Sequence, residues 1–416
     1  MAKRSVRDLA VGGRRVLIRA DLNVPIDDRQ QITDDLRIRQ FVPTLLHVVE
    51  RGGRAILMSH LGRPTGDPHA DRTYSLAPVA VRVQELCGRP CAFATDCVGP
   101  VAEQASRSLR DGEVLLLENL RFHPAETLID EAKKNLDGRL TPQQEAEREN
   151  FARALAAHAD LYVNDAFGTC HRKHVSMYDV PRLLGPGKRA IGFLVEKELR
   201  YLGQVLESPR RPFVAILGGA KVSDKIGVIR NLVPRVDHIL IGGAMTFTFW
   251  AAQGRRVGRS LCERDKLDLA RELIAACGDK LKLPVDSVAA AELKAGVPTR
   301  VIEGDLPDEL MGLDIGPTTI ERYALLIRDA GTIVWNGPVG AFETKPFDAG
   351  TVALAKLIAE ATGRGAVSVI GGGDSAAAVE QAGLAERMTH ISTGGGASLR
   401  FLEGKKFGPI EIIDDE

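Results

Sequence analysis

An α/β chain of two domains, each a parallel sheet flanked by helices, is what this sequence predicts. Three observations predict it. A short β-branched run followed by glycines and then a helix recurs through the second half. In the first half, strand-like runs repeatedly end in polar or cationic residues. The length, 416 residues, exceeds what one hydrophobic core usually serves.

The glycine device is sharpest at Ala366–Leu384. Ala366–Ile370 reads as a buried strand. Gly371, Gly372 and Gly373 follow at once, and Ser375–Glu380 reads as a helix with Asp374 at or near its N-cap. Glycines there let the backbone lie close to something large and leave N–H groups pointing outward at a positive helix end. An acid in that cradle suits a cation, and Mg²⁺ shared with a polyphosphate is the natural one. A tight turn with an ordinary Asp cap is the competing reading. The device recurs where Val214–Leu217 runs into Gly218 and Gly219, and His238–Ile241 into Gly242 and Gly243. It recurs again where Ile391–Thr393 runs into Gly394, Gly395 and Gly396, with Ala397 and Ser398 opening a helix. These turns predict one parallel sheet whose C-terminal edge is lined with glycines, the edge where open α/β sheets bind ligands.

Lys221 and Lys225 follow the first of these turns. Four apart, they share one face if helical, placed to straddle a phosphate chain or to be ordinary surface lysines. Thr332–Trp335 is a further strand with Asn336–Gly340 as its exit loop. Glu343 beyond it suits a ribose or solvent equally. Lys282–Val285 and Arg300–Ile302 read as minor strands, and Met311–Pro317, MGLDIGP, as a turn-rich loop. The GxxxxGK[ST] and GxGxxG strings are both absent.

In the first half, Arg15–Ala20 is a strand followed by Asp21 and Asn23. Two apart in extended backbone, these point the same way and could grip two hydroxyls; a turn capped by Asp and Asn is the alternative. Arg37 stands at the opening of a helix running through Glu50. Ala55–Met58 ends in His60 and Arg63, Val114–Leu117 in Arg121, and Asp160–Val163 in a loop reaching Arg172. If these strands share a sheet, the groups converge on one edge, and arginines with a histidine suit a small, highly charged anion. Leu128–Leu155 reads as helical in parts, broken at Asp137 and Gly138, with Thr141–Pro142 as a fresh start. Phe193–Leu206 reads as one helix between the halves, with Glu196 and Arg200 spaced for an i,i+4 pair.

Composition narrows the classes. A formal net charge of zero argues against a nucleic-acid-coating protein, so any anion recognition must be local. Six cysteines are scattered without repeated metal spacing, which fits free thiols in a reducing compartment. Histidines 60, 123, 171 and 174 have no matching Cys or Glu framework for zinc. Neither a signal peptide nor a membrane-spanning run is expected, which points to the cytoplasm.

Together the segments RADLNVP (Arg19–Pro25), SHLGRP (Ser59–Pro64), LLLENLRFHPAE (Leu115–Glu126), NDAFGTCHR (Asn164–Arg172), ILGGAKVSDKI (Ile216–Ile226), MGLDIGP (Met311–Pro317), WNGPVGAFE (Trp335–Glu343), GGGDSA (Gly371–Ala376) and STGGGASL (Ser392–Leu399) resemble the phosphoglycerate kinase family. The resemblance spans essentially the whole chain. It implies two Rossmann-like domains joined by a linker helix. Residues 1–187 would bind 3-phosphoglycerate, 188–207 form the linker, and 208–402 bind nucleotide; 403–416 would return to the first domain. It implies reversible phosphoryl transfer between ATP and 3-phosphoglycerate, giving ADP and 1,3-bisphosphoglycerate, in a monomer that closes about a hinge at Pro181–Leu206. Asp21 and Asn23 would hold the glycerate hydroxyl region. His60, Arg63, Arg121 and Arg172 would surround the carboxylate and 3-phosphate, with Arg37 beside the reacting carboxyl. Lys221 would meet the moving phosphoryl group and Lys225 the nucleotide phosphates. Asp374 would bind Mg²⁺ and Glu343 the ribose. Gly312, Asn336, Gly371, Gly372, Gly373 and Ser375 complete the implied nucleotide site. Arg37, Lys221, Gly373 and Gly396 form the implied catalytic set. Cys170 stands where the family usually has alanine, which raises the prospect of a thiol-sensitive site. The substrate's carboxylate is already ionised at neutral pH, so no general base is needed.

Two rivals are set aside. An NAD-dependent enzyme of similar build is opposed by the missing GxGxxG. A non-catalytic phosphometabolite-binding protein is opposed by the presence of Arg37, Lys221 and Asp374.

Overall fold

The computed structural model describes residues 3–67, 70–132 and 139–416; the expected break at Asp137 and Gly138 lies outside them. The chain divides into two compact units: Met1–Leu199 together with Lys406–Glu416, and Arg200–Lys405. The division falls inside the helix Phe193–Glu207. Among the described residues no helix is long and apolar enough to cross a membrane.

Unit 1 is built on six strands: β1 (Arg15–Ala20), β2 (Arg54–Met58), β3 (Cys91–Ala94), β4 (Val114–Leu117), β5 (Leu161–Asp165) and β6 (Arg189–Ile191). They pair in the order β3-β4-β2-β1-β5-β6, all parallel. The central strands are buried on both faces, which explains their continuous apolar runs. The helix Leu36–Glu50 buries Ile38, Phe41, Val42, Leu45, Val48 and Val49, a three-and-four spacing that makes one apolar stripe. That stripe packs into the core with Val16, Ile18, Ala55 and Leu57. Helix Pro142–Ala156 opens with a capping box between Thr141 and Gln144. The tail packs with the same unit: Asp414 pairs with Arg189 at 2.6 Å and Asp415 with Lys3 at 2.7 Å.

Unit 2 holds β7 (Phe213–Leu217), β8 (His238–Ile241), β9 (Leu281–Lys282), β10 (Asp286–Ala290), β11 (Arg300–Glu303), β12 (Met311–Ile315), β13 (Thr332–Asn336), β14 (Val367–Gly371) and β15 (His390–Ile391). Six form a parallel sheet, β15-β14-β13-β7-β8-β9. The other three form an antiparallel sheet, β11-β10-β12. The glycine turns after β7, β8, β14 and β15 therefore do share one sheet edge.

Three local expectations fail. The strand expected at Lys282–Val285 stops at Lys282, and strand resumes only at Asp286, in the antiparallel sheet. Most of MGLDIGP is strand, because Met311–Ile315 pairs along β10 across an irregularity at Val288/Ala289. Glu196 does not pair with Arg200. It takes Arg7 at 2.7 Å, and Arg200 lies over the ring of Tyr201, so a tertiary partner displaces the helical one.

Candidate active site

In unit 1, β4, β2, β1 and β5 are neighbours, so the residues that follow them gather on one edge. Asp21 is nearly buried and accepts two bonds from Arg37 Nη1, at 2.9 and 3.0 Å. Asn23 Oδ1 accepts the Gly62 N–H at 2.8 Å, tying the loop after β1 to the loop after β2. The Val24 N–H bonds the Leu22 carbonyl at 2.9 Å, a three-residue turn centred on Asn23.

His60 is buried and its Nδ1 lies 2.9 Å from Arg19 Nη2. Since arginine only donates, that nitrogen accepts. Burial first, then the charges of Arg19, Arg121, His174 and Arg37, hold His60 well below the usual imidazole range. Arginines from three separate segments therefore act on a neutral histidine. Arg121 is pushed down to about 10 by burial, then by the charge of Arg19, with Arg172 and Arg63 adding and Glu126 opposing. It stays protonated at neutral pH. Its Nη1 donates to the Gly62 carbonyl at 2.7 Å, while its Nε is buried with no partner. A buried, unpaired guanidinium donor among repelling arginines is costly unless an anion arrives. Arg172 donates to Asp130 at 2.6 Å, and Asp130 also takes His174 Nε2 at 3.1 Å. Arg63 is exposed.

Arg19 lies under this edge. It is completely buried, donates from Nε to Ser176 Oγ at 3.0 Å and from Nη1 to the Ala20 carbonyl. Ser176 in turn donates its hydroxyl and its N–H to the buried Glu126, at 2.6 and 2.9 Å. Sequence patterning does not single out Arg19, Glu126, Asp130, His174 or Ser176 for this role. Cys170 is also completely buried. Its thiol, raised above the usual range by burial, lies 3.3 Å from the Ala166 carbonyl, so the prospect of a thiol-sensitive site has no structural support.

In unit 2 the turns after β7, β8 and β13 interlock. Gly219 N–H bonds the Pro338 carbonyl at 3.0 Å and Gly243 N–H the Val339 carbonyl at 2.8 Å. A Cβ on Gly218 would stand 2.0 Å from the Pro338 carbonyl oxygen, so only glycine permits that approach. Beside these turns opens a cavity of about 510 Å³ whose walls include Gly219, Gly243, Gly312, Val339, Glu343 and Asp374. Gly312 flattens one wall, because a Cβ there would meet the Phe247 ring at 2.1 Å.

Lys221 and Lys225 do not share a helical face. The helix begins only at Ile226, leaving Lys221 exposed and Lys225 buried. Lys225 donates to Asn336 Oδ1. Burial lowers its ammonium to about 8, with the charges of Asp224 and Asp374 opposing. Asp374 lies in the first turn of the helix Gly373–Gln381, whose N-cap is Gly372 with φ 92°. Ser375 is turned inward and accepts the Gly337 N–H at 2.6 Å. Asn336 and Ser375 thus brace the edge with their side chains, and Gly373 and Gly396 open helices at it. An exposed carboxylate on the cavity wall, close enough to act on Lys225, fits a hard divalent cation such as Mg²⁺.

The sequence model of the family described as phosphoglycerate kinase matches residues 6–405. The chain belongs to the phosphoglycerate kinase family. It is 51% identical over 418 residues to the phosphoglycerate kinase of Rhodopirellula baltica and 50% identical over 420 residues to that of Anaeromyxobacter dehalogenans, covering 100% of both chains in each case. A solved phosphoglycerate kinase from Coxiella burnetii superposes with a TM-score of 0.83 at 36% identity, covering 99% of this chain and 98% of that one. The Pyrococcus horikoshii phosphoglycerate kinase gives a TM-score of 0.80 at 30% identity, covering 98% of both. Both parallel sheets are thus those of a phosphoglycerate kinase fold.

Proposed function

We propose that the chain transfers a phosphoryl group reversibly from ATP to the carboxylate of 3-phosphoglycerate, giving ADP and 1,3-bisphosphoglycerate, a step of glycolysis. The observation that carries the acceptor half is the convergence of cations after β1, β2, β4 and β5, with the Arg121 Nε buried and unpartnered. Such a cluster suits an anion with a charged group at each end.

Asp21 and Asn23 hold the glycerate hydroxyl region. His60, Arg63, Arg121 and Arg172 take the carboxylate and 3-phosphate, His60 acting as a neutral hydrogen-bonding group. Arg37 stands by the reacting carboxyl. The carboxylate is its own nucleophile, so no residue abstracts a proton. In unit 2, Lys221 meets the transferring group, Lys225 the nucleotide phosphates and Glu343 the ribose. The N–H groups at Gly371, Gly372, Gly373 and Gly396 face the phosphates. Gly312 shapes the wall, and Asn336 and Ser375 act through Lys225 and the Gly337 loop. Asp374 holds Mg²⁺, which when bound offsets phosphate charge. Transfer is in line, with no covalent enzyme intermediate. A zero net charge supports a partner list of small anions without nucleic acid or membrane, and we place the chain in the cytoplasm as a monomer.

Phosphoryl transfer from Mg·ATP to 3-phosphoglycerate, read by coupled reduction of the product, tests the reading. Turnover is expected with Mg²⁺ and is expected to vanish when a chelator removes it. Folded protein without turnover under saturating ligands rejects the proposal. Lys221→Ala is expected to lower kcat by at least about a hundredfold while ADP affinity changes little, because contacts made only in the transition state act on kcat. An unchanged kcat would remove Lys221 from the mechanism.

A further inference from the structure

On unit 1, beyond the ends of β3 and β4, three side chains of metal-binding type meet: Asp96, Cys97 and His123. One ligand atom from each lies within 4.8 Å of the other two, and no other such trio occurs among the described residues. His123 lacks a matching framework within its own segment. The framework comes from the loop after the neighbouring strand.

The cluster is held from several sides. Asp96 Oδ1 lies 2.7 Å from His123 Nε2 and accepts the N–H groups of Cys97 and Val98 at 2.6 and 3.3 Å. The His123 ring stacks on Phe151, with centroids 5.2 Å apart and planes 25° off parallel. Cys97 is completely buried, whereas the side chains of His123 and Asp96 are 32% and 46% exposed. The cluster is therefore closed behind the sulfur and open to water in front.

We propose that Asp96, Cys97 and His123 form a site for Zn²⁺, with one water-accessible position left. Mixed sulfur, nitrogen and oxygen donors with a single thiolate suit zinc, and they exclude Mg²⁺, which requires oxygen ligands in octahedral array. On binding, the Cys97 thiol releases its proton to solvent as the S–Zn bond forms. The His123 Nε2 proton passes to solvent while Nδ1 takes one up, so the ring stays neutral and the metal takes the place of the hydrogen between Asp96 and His123. The site is separate from Asp374, which lies in unit 2.

The probe is Co²⁺ added to the full chain, read by absorption. The expected result is a near-ultraviolet thiolate-to-cobalt band with tetrahedral bands in the visible, all removed by Zn²⁺ and untouched by excess Mg²⁺. Cys97→Ala should lose the near-ultraviolet band. His123→Ala, at a partly exposed position, should weaken Co²⁺ binding about tenfold or more. A Cys87→Ala/Cys91→Ala variant should keep all the bands. If Cys97→Ala fails to fold by circular dichroism, His123→Ala and His123→Gln carry the test. Absence of a thiolate band in folded protein, or bands unchanged in the Cys97 and His123 variants, overturns the proposal.

Discussion

At the scale of single residues, burial lowers the ammonium of Lys225 to about 8, opposed by Asp224 and Asp374. Below that pH it is a buried cation tied to Asn336; above it the charge is lost. Calorimetric ADP affinity, measured with Mg²⁺ present, is expected to be flat up to about pH 7 and to fall above about pH 8, by up to tenfold per pH unit for one proton. Lys225→Gln is expected to bind more weakly and to flatten the profile. A wild-type affinity that stays constant to pH 9.5, roughly 1.5 units above the break, rejects Lys225 as a charged contact. Stability moves the other way. Between about 8 and about 10.4 the unfolded chain binds the extra proton, so the folding penalty of this lysine fades as pH rises. The contrast with Lys221 was invisible in the spacing, which matches a shared helical face. Their exposures differ because the helix starts one residue after Lys225. Arg19 escaped for a similar reason. In the apolar run of β1 it reads as a strand residue, and only the fold brings Ser176, His60 and the Ala20 carbonyl to it. By contrast the edge that His60, Arg121 and Asp374 reach was legible, because each follows a strand or opens a helix, where topology alone decides it; Arg37 has the spacing of an ordinary surface arginine and was singled out only through the family resemblance.

Among elements, the start of the helix Phe193–Glu207 depends on a residue from β5. Asp165 Oδ1 accepts the N–H groups of Leu194 and Val195 at 2.9 and 3.1 Å. Its other oxygen is buried without a partner. A Cβ on Gly192 would stand 2.3 Å from its carboxyl carbon, so the chain passes tightly over the cap. Burial pushes this carboxyl up to about 7, opposed by the nearby Thr44 side chain and by the N–H groups of Val195 and Leu194. The folded state therefore holds a proton that the unfolded chain has released above about pH 4, and stability falls as pH rises toward about 7. Urea unfolding between about pH 5 and 8 should show this slope in the wild type and a flatter one in Asp165→Asn. Asp165→Ala, which removes the acceptor, is expected to cost about 1–2 kcal/mol. Equal slopes in wild type and Asp165→Asn would contradict it. Gly372 makes the parallel case in unit 2. At φ 92° with the Asn336 amide 3.2 Å from a would-be Cβ, Gly372→Ala should strain the phosphate turn by about 1–3 kcal/mol and lower kcat, checked by unfolding and steady-state rates together. The glycine turns could be read from sequence because only glycine serves there. The strand β12 could not: the glycines and proline of the segment MGLDIGP signal a turn, and the pairing of Met311–Ile315 with β10 is a long-range fact that local propensity does not contain.

For the whole molecule, the proposed division of labour between units sets the last expectation. The cation cluster proposed for the acceptor is assembled wholly from unit 1, and Lys225 and the cavity walled by Asp374 belong wholly to unit 2. Each ligand's ground-state affinity should then respond only to substitutions in its own unit. Effects on residues without shared partners are additive to within a few tenths of a kcal/mol. Arg121→Ala removes a guanidinium from the cation cluster. It should weaken 3-phosphoglycerate binding by more than about tenfold, as for a charge-assisted contact. ADP affinity should stay within about twofold. Asp374→Ala should do the reverse and should also lessen the advantage that Mg²⁺ gives to ADP. Turnover should fall in both, because the reaction needs both ligands at once and the rate reports the product of the two occupancies as well as the transition state. Calorimetry of each ligand alone separates these effects from the assay. If Arg121→Ala weakened ADP binding as strongly as it weakened 3-phosphoglycerate binding, the cation cluster would be acting on the nucleotide. The assignment of acceptor to unit 1 and nucleotide to unit 2 would then have to be redrawn.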